Sequence, residues 1–311
     1  CIEMIDAPPR LAVTISLTPK QRQFFMSDAP EVAFIGGRGA GKTYVGCRWA
    51  AAQMLKYPKA LGLITANTHD QLYKNTLPPL FQFFASAKIE YTFGKIPPYP
   101  GIRSRYQGMQ AHTGVITLPS GAQAVCRGLE NYDTIRGGEY GWWWSDETRD
   151  TSPEAYKVAI GNLRDSNGPL QVRITSTPNG YDWLYTEFQD RPLAEPGLRF
   201  RRKIIQASTY DNAANIPEDY IRLLESSYDP EFARQEMLGE FIHLGVGVAY
   251  SCLNRLVHVR RDLAYNPLAP LILCCDFNVS PMCWCVVQNF PVGDCVIDEI
   301  HRDSTRPGYT A

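Results

Sequence analysis

The sequence predicts an α/β fold: a domain with a mostly parallel sheet over residues 1–245, then a short β-rich unit over residues 246–311. Three observations predict it. Between about residues 30 and 245, short apolar runs alternate with helical segments, the order that joins parallel strands through crossover helices. A glycine-rich stretch links the first apolar run to the first long helix. Near Pro270 this alternation gives way to strand-like runs alone.

The first strand spans residues 32–35, and the helix at 42–55 follows the glycines directly. A second strand at 61–65 precedes the stretch from Gly94 to Gly108, where Pro97, Pro98, Pro100, Lys95, Arg103 and Arg105 predict a surface loop. Two β-rich runs around Pro119-Ser-Gly121 predict an inserted hairpin between Gly114 and Gly128. Strands at 142–144, 171–176 and 200–205, with helices at 182–189, 218–226 and 230–239, complete the domain. Residues 243–248 form a glycine-containing linker. Strands at 271–276, 282–288 and 295–300 make up the second unit.

Composition narrows the function classes. With 44% hydrophobic and 20% charged residues in a 311-residue chain, disorder, collagen and coiled coil are excluded as whole-chain readings. No apolar run approaches the roughly 18–20 residues that cross a bilayer, and the segment after Cys1 lacks the basic start of a signal peptide, so a soluble protein with no membrane partner is expected. The nine cysteines contain no Cys-x-x-Cys and read mostly as small buried hydrophobes in a reducing cytosol. A net charge of −1 excludes a uniformly basic coat for nucleic acid but leaves room for a basic patch. The 22 arginines against 9 lysines suit bidentate phosphate recognition.

The most specific motif is Gly36, Gly37, Arg38, Gly39, Ala40, Gly41, Lys42, Thr43, which fits G-x-x-x-x-G-K-T between a strand and a helix. In such a loop the glycines let backbone N–H groups wrap phosphates, the lysine neutralises β/γ charge and the threonine hydroxyl ligates Mg²⁺. Arg38 is a candidate for γ-phosphate contact. A dinucleotide site fits poorly, because the G-x-G-x-x-G spacing is missing. The run Tyr140-Gly-Trp-Trp-Trp-Ser-Asp146-Glu147 ends a strand on two carboxylates, at the sheet edge where ligands bind. Beside the loop, Asp146 would hold Mg²⁺ and Glu147 would polarise the attacking water. The bland alternative is a solvated helix cap at Ser145-Asp146.

Taken in order and spacing, six segments resemble the large terminase subunit of tailed double-stranded DNA bacteriophages: Thr18-Pro-Lys-Gln21, Gly36 to Thr43, Ile135-Arg136-Gly137, Ser145-Asp-Glu147, Ile174 to Gly180, and Gln235 to Glu240. The resemblance implies a P-loop ATPase of the RecA/ASCE-like kind, followed by an RNase H-like nuclease. It implies ATP and Mg²⁺ as cofactors, Gln21 as the adenine contact, Thr175-Ser-Thr177 as the γ-phosphate-sensing coupling motif, and Arg136 as an arginine finger acting across a ring of identical subunits. It further implies double-stranded DNA, a portal protein and a small terminase subunit as partners, and action in the host cytoplasm on a viral procapsid. One departure is visible: Ser145 and three tryptophans stand where the family has an aliphatic lead-in to the acidic pair.

In the second unit, Asp276 closes one strand, and Asp298 and Glu299 lie on another. Such a pair of strand-borne acids holds two Mg²⁺ or Mn²⁺ ions that clamp a phosphodiester in RNase H-like nucleases. The resemblance makes Asp276 the first metal ligand and Asp298 or Glu299 the second; strand alternation allows only one of the latter, and Glu299 is favoured. No acid follows Asp303, so the third ligand of the family's site is missing and the nuclease reads as incomplete and truncated. For DNA binding, alternation on a strand would align Arg199, Arg201 and Lys203 along one face as a phosphate track. An edge strand protected by its charges explains the same residues. The competing functions are another P-loop DNA-dependent ATPase or helicase, a small-molecule kinase, and a non-enzymatic ATP- or DNA-binding assembly factor.

Overall fold

The computed structural model describes residues 13–102, 113–242, 258–260, 262–276 and 282–302. The chain divides into two compact units, Cys1–Val246 and Gly247–Ala311. The predicted linker at 243–248 and Arg103 and Arg105 of the proline loop lie outside the described residues.

In the first unit the chain runs through α1 (Pro19–Met26), β1 (Glu31–Gly36), α2 (Lys42–Lys56), β2 (Leu61–Ala66), α3 (Leu77–Ser86), β3 (Thr92–Phe93), β4 (Val115–Thr117), β5 (Gln123–Gly128), β6 (Trp142–Asp146), α4 (Pro153–Gly161) and β7 (Gln171–Ser176). It continues through β8 (Arg202–Ala207), α5 (Glu218–Ser227) and α6 (Pro230–Glu236). The eight strands form one sheet in the order β3-β4-β5-β2-β6-β7-β1-β8. Every pair from β5 to β8 in that order is parallel, and only β3 and β4 run antiparallel to their neighbours. This is the α/β architecture expected. One consequence positions the site: β7 lies between β1, which carries the glycine loop, and β6, which carries the acidic pair.

Period-2 alternation divides the core between the two sheet faces. Val32, Phe34, Trp142 and Trp144 pack with Phe24 of α1 and Trp49 of α2 on one side. Ala33, Ile35, Trp143, Val172 and Ile174 pack with Tyr156 of α4 on the other. Burial of each large apolar side chain stabilises the fold by about 1.5–3 kcal/mol.

Several expectations need correction. The stretch from Gly114 to Gly128 is not an insertion: β4 and β5 do form a hairpin, but β5 also pairs in parallel with β2 over Leu61–Ala66 and belongs to the main sheet. The helix expected at 182–189 starts at Trp183 and continues through a π-helical turn, Thr186–Asp190, to Ala194. The strand expected from residue 200 begins at Arg202, because a 3₁₀ turn, Pro196–Leu198, and a further turn over residues 199–201 come first, with Arg199 N–H donating to Pro196 O and Arg201 N–H to Leu198 O. Arg199 and Arg201 therefore precede the strand, and the alternation that was to align them with Lys203 does not apply.

The second unit contributes β9 (Ile272–Asp276), β10 (Met282–Phe290) and β11 (Gly293–Arg302), an antiparallel sheet in the order β11-β10-β9. Here the cysteine expectation fails. Cys47 and Cys126 of the first unit are buried, but Cys274 and Cys275 are exposed on β9, where the described residues provide no packed layer over the sheet. No helix among the described residues is long and apolar enough to cross a membrane.

Candidate active site

The loop from Gly36 to Gly41 leaves β1 and turns into α2 through Gly41, which caps that helix with a left-handed backbone (φ 78°). Glycine is required there twice over, since a Cβ would also lie 2.3 Å from Gln21 Nε2. Buried carbonyls need donors, and every loop carbonyl has one. Lys42 Nζ donates to Gly36 O at 3.1 Å and Gly37 O at 3.2 Å. Thr209 Oγ1 donates to Arg38 O at 2.7 Å, Asn212 Nδ2 to Gly39 O at 2.6 Å, and Gln21 Nε2 to Ala40 O at 3.1 Å. With its carbonyls held from outside, the loop presents the first turn of α2, whose N–H groups have no helical partner, to an anion.

Gln21 is thus placed as a brace under the loop. Its Oε1 accepts from Thr18 N–H in a capping box that starts α1, and the residue is buried. Each end of the amide thus makes one hydrogen bond within the protein.

Asp146, at the end of β6, is fully buried and meets three hydroxyls: Thr43 Oγ1 at 3.0 Å, Thr76 Oγ1 at 3.0 Å and Thr175 Oγ1 at 2.7 Å. Burial first, and then the charge of Glu147, pushes its carboxyl up to about 6, against these hydrogen bonds. Alternation alone would send Glu147 to the opposite face. Instead Glu147 takes a left-handed backbone (φ 47°), rare for a residue with a Cβ, and its carboxylate lies 3.9 Å from Lys42 Nζ. Burial lowers the Lys42 pKa, and the charges of Glu147 and Asp146 oppose that shift. The solvated-cap alternative for Ser145-Asp146 does not survive the burial of both residues.

The donor set suits Mg²⁺. One buried carboxylate touching one loop hydroxyl is a hard-oxygen pair that leaves positions for nucleotide phosphates and water, the usual mode for this ion. No group of three or more His, Cys, Asp or Glu side chains gathers as a metal site among the described residues.

Arg38 bonds Glu236 (Nε to Oε2, 2.7 Å), a buried acid on α6 that also lies 3.5 Å from Arg149. Thr175 and Ser176 are spent internally, the latter accepting from Arg149 N–H at 2.9 Å, and Thr177 follows them, buried, at the strand end. Arg136 is not brought to this cluster. It is exposed, 2.5 Å from Asp133, and lines a cavity of about 360 Å³ with Lys157, Gly161 and Asn162 at the far end of α4. Sequence reasoning missed Thr76, Arg149, Thr209, Asn212 and Glu236. Of these only Glu236 lay in a segment that had been singled out.

In the second unit, Asp276 lies opposite Cys283, and Glu299 opposite Cys285. These register positions put residues 276 and 299 on one face and residue 298 on the other. Arg199, Arg201 and Lys203 are all exposed. Arg199 Nε also donates to Pro192 O at 3.0 Å.

Comparison with known proteins follows the same lines. The family model for the N-terminal part of the terminase large subunit, T4-like-virus type, matches residues 33–253. No curated protein matches the chain in sequence. Among solved structures, the large terminase of the thermophilic bacteriophage D6E in complex with ADP is similar at a TM-score of 0.59 and 16% identity, over 93% of this chain and 69% of that one. The ATPase domain of the Thermus phage P74-26 large terminase is similar at 0.51 and 19%, over 73% of this chain and 94% of that one. The HK97 bacteriophage large terminase gives 0.54 and 12%, over 90% and 62%. These structures share the fold. The family match starts within β1 and runs past α6, taking in the glycine loop and the acidic pair, and on that match the chain belongs to the large terminase subunits of tailed bacteriophages.

Proposed function

We propose that the first unit is an ATP-hydrolysing motor that drives double-stranded viral DNA into a procapsid, and that the second contributes to a metal-dependent endonuclease. The observation that carries the motor reading is the contact of Thr43 with Asp146, with Lys42 and Glu147 paired beside it. Thr43 and Asp146 would hold Mg²⁺, which supplies charge neutralisation across the β- and γ-phosphates. Lys42 exchanges its carbonyl contacts for phosphate oxygens. Glu147 accepts the proton of the water that attacks the γ-phosphorus as the bond to the bridging oxygen breaks. Arg136 lies remote from its own loop and serves the site of a neighbouring subunit in a homo-oligomeric ring. Thr177, which directly follows β7 and is slightly less buried than Thr175 and Ser176, would sense the γ-phosphate. The D6E terminase was solved with ADP and with ATP-γ-S, in keeping with a nucleotide site.

In the second unit, Asp276 and Glu299 would hold Mg²⁺ or Mn²⁺ on their shared face, and Asp298 is set aside by register. Arg199, Arg201 and Lys203, exposed at the approach to edge strand β8, contact DNA phosphates without reading sequence. A portal protein and a small terminase subunit are the protein partners, met in the host cytoplasm.

The test is Glu147→Gln. It should bind ATP as the wild type does and lose turnover by about 10²–10⁴-fold; unchanged hydrolysis removes Glu147 from the mechanism.

A further inference from the structure

Three consecutive tryptophans, Trp142, Trp143 and Trp144, precede the acidic pair, and the structure gives each a different environment. Trp143 faces one side of the sheet and donates Nε1–H to Thr65 Oγ1 at 2.9 Å. Trp142 and Trp144 face the other side. Trp142 Nε1 is buried with no hydrogen-bond partner among the described residues. Trp144 Nε1 donates to Thr175 Oγ1 at 2.9 Å, and Thr175 Oγ1 in turn donates to Asp146 Oδ1 at 2.7 Å. Trp144, Thr175 and Asp146 are all fully buried.

We propose that Trp144 is a positioning residue for the metal-binding carboxylate, its indole N–H committing the Thr175 hydroxyl to Asp146. The proposal rests on the reading of Asp146 as the Mg²⁺ ligand. A threonine hydroxyl has a single proton and a choice of acceptors. For Thr175 the second acceptor is Ser145 O, at 3.4 Å. A donor arriving on the oxygen of Thr175 occupies one lone pair and aims the proton at the nearer acceptor, Asp146. That bond pins Oδ1, so the plane of the carboxylate is held while Oδ2 accepts from Thr43 and Thr76.

Backbone geometry places the relay. Alternation along β6 puts Trp144 and Asp146 on the same face, and Thr175 is the direct cross-strand neighbour of Asp146 on β7. The indole itself is wedged beneath the first turns of α2, where Gly46 makes room: a Cβ at that position would lie 2.3 Å from Trp144 Nε1. The ring therefore has one orientation. Second-layer donors of this kind orient the groups that ligate a metal, and their loss costs about 10–100-fold in metal affinity.

Trp144→Phe is compared with Trp143→Phe. Each variant removes one buried N–H···Oγ bond and a similar ring volume from the same strand, but only Trp144 connects to Asp146. Mn²⁺ binding to the ADP complex is followed by electron paramagnetic resonance, metal-free ADP binding by calorimetry, and folding by thermal denaturation. Trp144→Phe should weaken Mn²⁺ binding by about tenfold or more with metal-free ADP binding unchanged. Trp143→Phe should lower Tm comparably and leave Mn²⁺ binding intact. Wild-type Mn²⁺ binding in Trp144→Phe, or equal weakening in both variants, overturns the proposal. If Trp144→Phe does not fold, Thr175→Val serves in its place: it should lose Mn²⁺ affinity and Thr175→Ser should restore it, while wild-type affinity in Thr175→Val overturns the relay. Asp146→Asn separates the two levels. If it binds Mn²⁺ and ADP as the wild type does, the metal-site reading fails. If it does not, and Trp144→Phe is silent, only the relay fails.

Discussion

Asp182 shows how one side chain carries a pH dependence into the fold. Its Oδ1 accepts from Tyr185 N–H at 3.1 Å and caps the helical stretch that starts at Trp183, while Oδ2 is buried without a hydrogen-bond partner among the described residues. Burial pushes its carboxyl from about 3.8 up to about 6, against the hydrogen bonds from the Tyr185 and Leu184 backbone. The folded protein therefore holds a proton that the unfolded chain has released. The stability this contributes is fully present below about pH 3.8 and is lost as pH rises through 6. Asp182→Asn keeps the cap oxygen and removes the charge. Thermal denaturation between pH 4 and pH 7, the range spanning these values, should show a flatter Tm profile for the variant and a higher Tm above pH 6. An unchanged slope assigns the dependence to another group.

At the scale of elements, Arg173 binds β7 to the chain between α1 and β1. It is fully buried on β7, with Nη1 donating to Ala29 O at 3.1 Å and Val172 O at 2.9 Å, and Nη2 to Ser27 O at 2.5 Å. Its guanidinium also lies 5.1 Å from the Trp49 ring. Burial lowers its pKa to about 10, so it stays charged at neutral pH. Arg173→Met fills the space but leaves the Ser27 and Ala29 carbonyls unpaired. Urea unfolding should show a loss of about 2–4 kcal/mol; a loss under about 0.5 kcal/mol, the ordinary range of surface changes, would mean that water replaces the bonds. Legibility in the sequence follows the same boundary between local and distant. The β1-loop-α2 unit was readable because its glycines, Lys42 and Thr43 are contiguous. The role of β5 was not, since a Pro-Ser-Gly turn marks a hairpin without saying that its second strand pairs with β2, 62 residues earlier at Leu61↔Gln123. Thr76, Thr209 and Asn212 reach the loop site across separations of 70, 171 and 173 residues, and no local pattern announces such contacts. Glu147 could be singled out from the sequence, yet its left-handed turn, which brings its carboxylate to 3.9 Å from Lys42 Nζ, has no signature in Ser145-Asp-Glu147.

For the whole molecule, a net charge of −1 means that the DNA contact proposed above would rest on local phosphate contacts. Changing Arg199, Arg201 and Lys203 together to Gln should reduce the slope of log affinity against log salt by about 0.9 per lost contact, up to about 2.7, equally for all duplex sequences. An unchanged slope moves the track elsewhere and leaves these residues as the charged guard of edge strand β8.

The loop braces also set a clock on synthesis. Gln21 is made early, but Thr209, Asn212 and Glu236 come much later, so the glycine loop emerges long before the two donors to Arg38 O and Gly39 O and the carboxylate that accepts from Arg38. Translation at about 5–20 residues per second puts roughly 10–40 s between Thr43 and Glu236. Through that interval a nascent chain has Lys42 and Gln21 to hold the Gly36, Gly37 and Ala40 carbonyls but lacks the donors to Arg38 O and Gly39 O, so the loop proposed to hold nucleotide is fully braced only once Thr209 and Asn212 have been made.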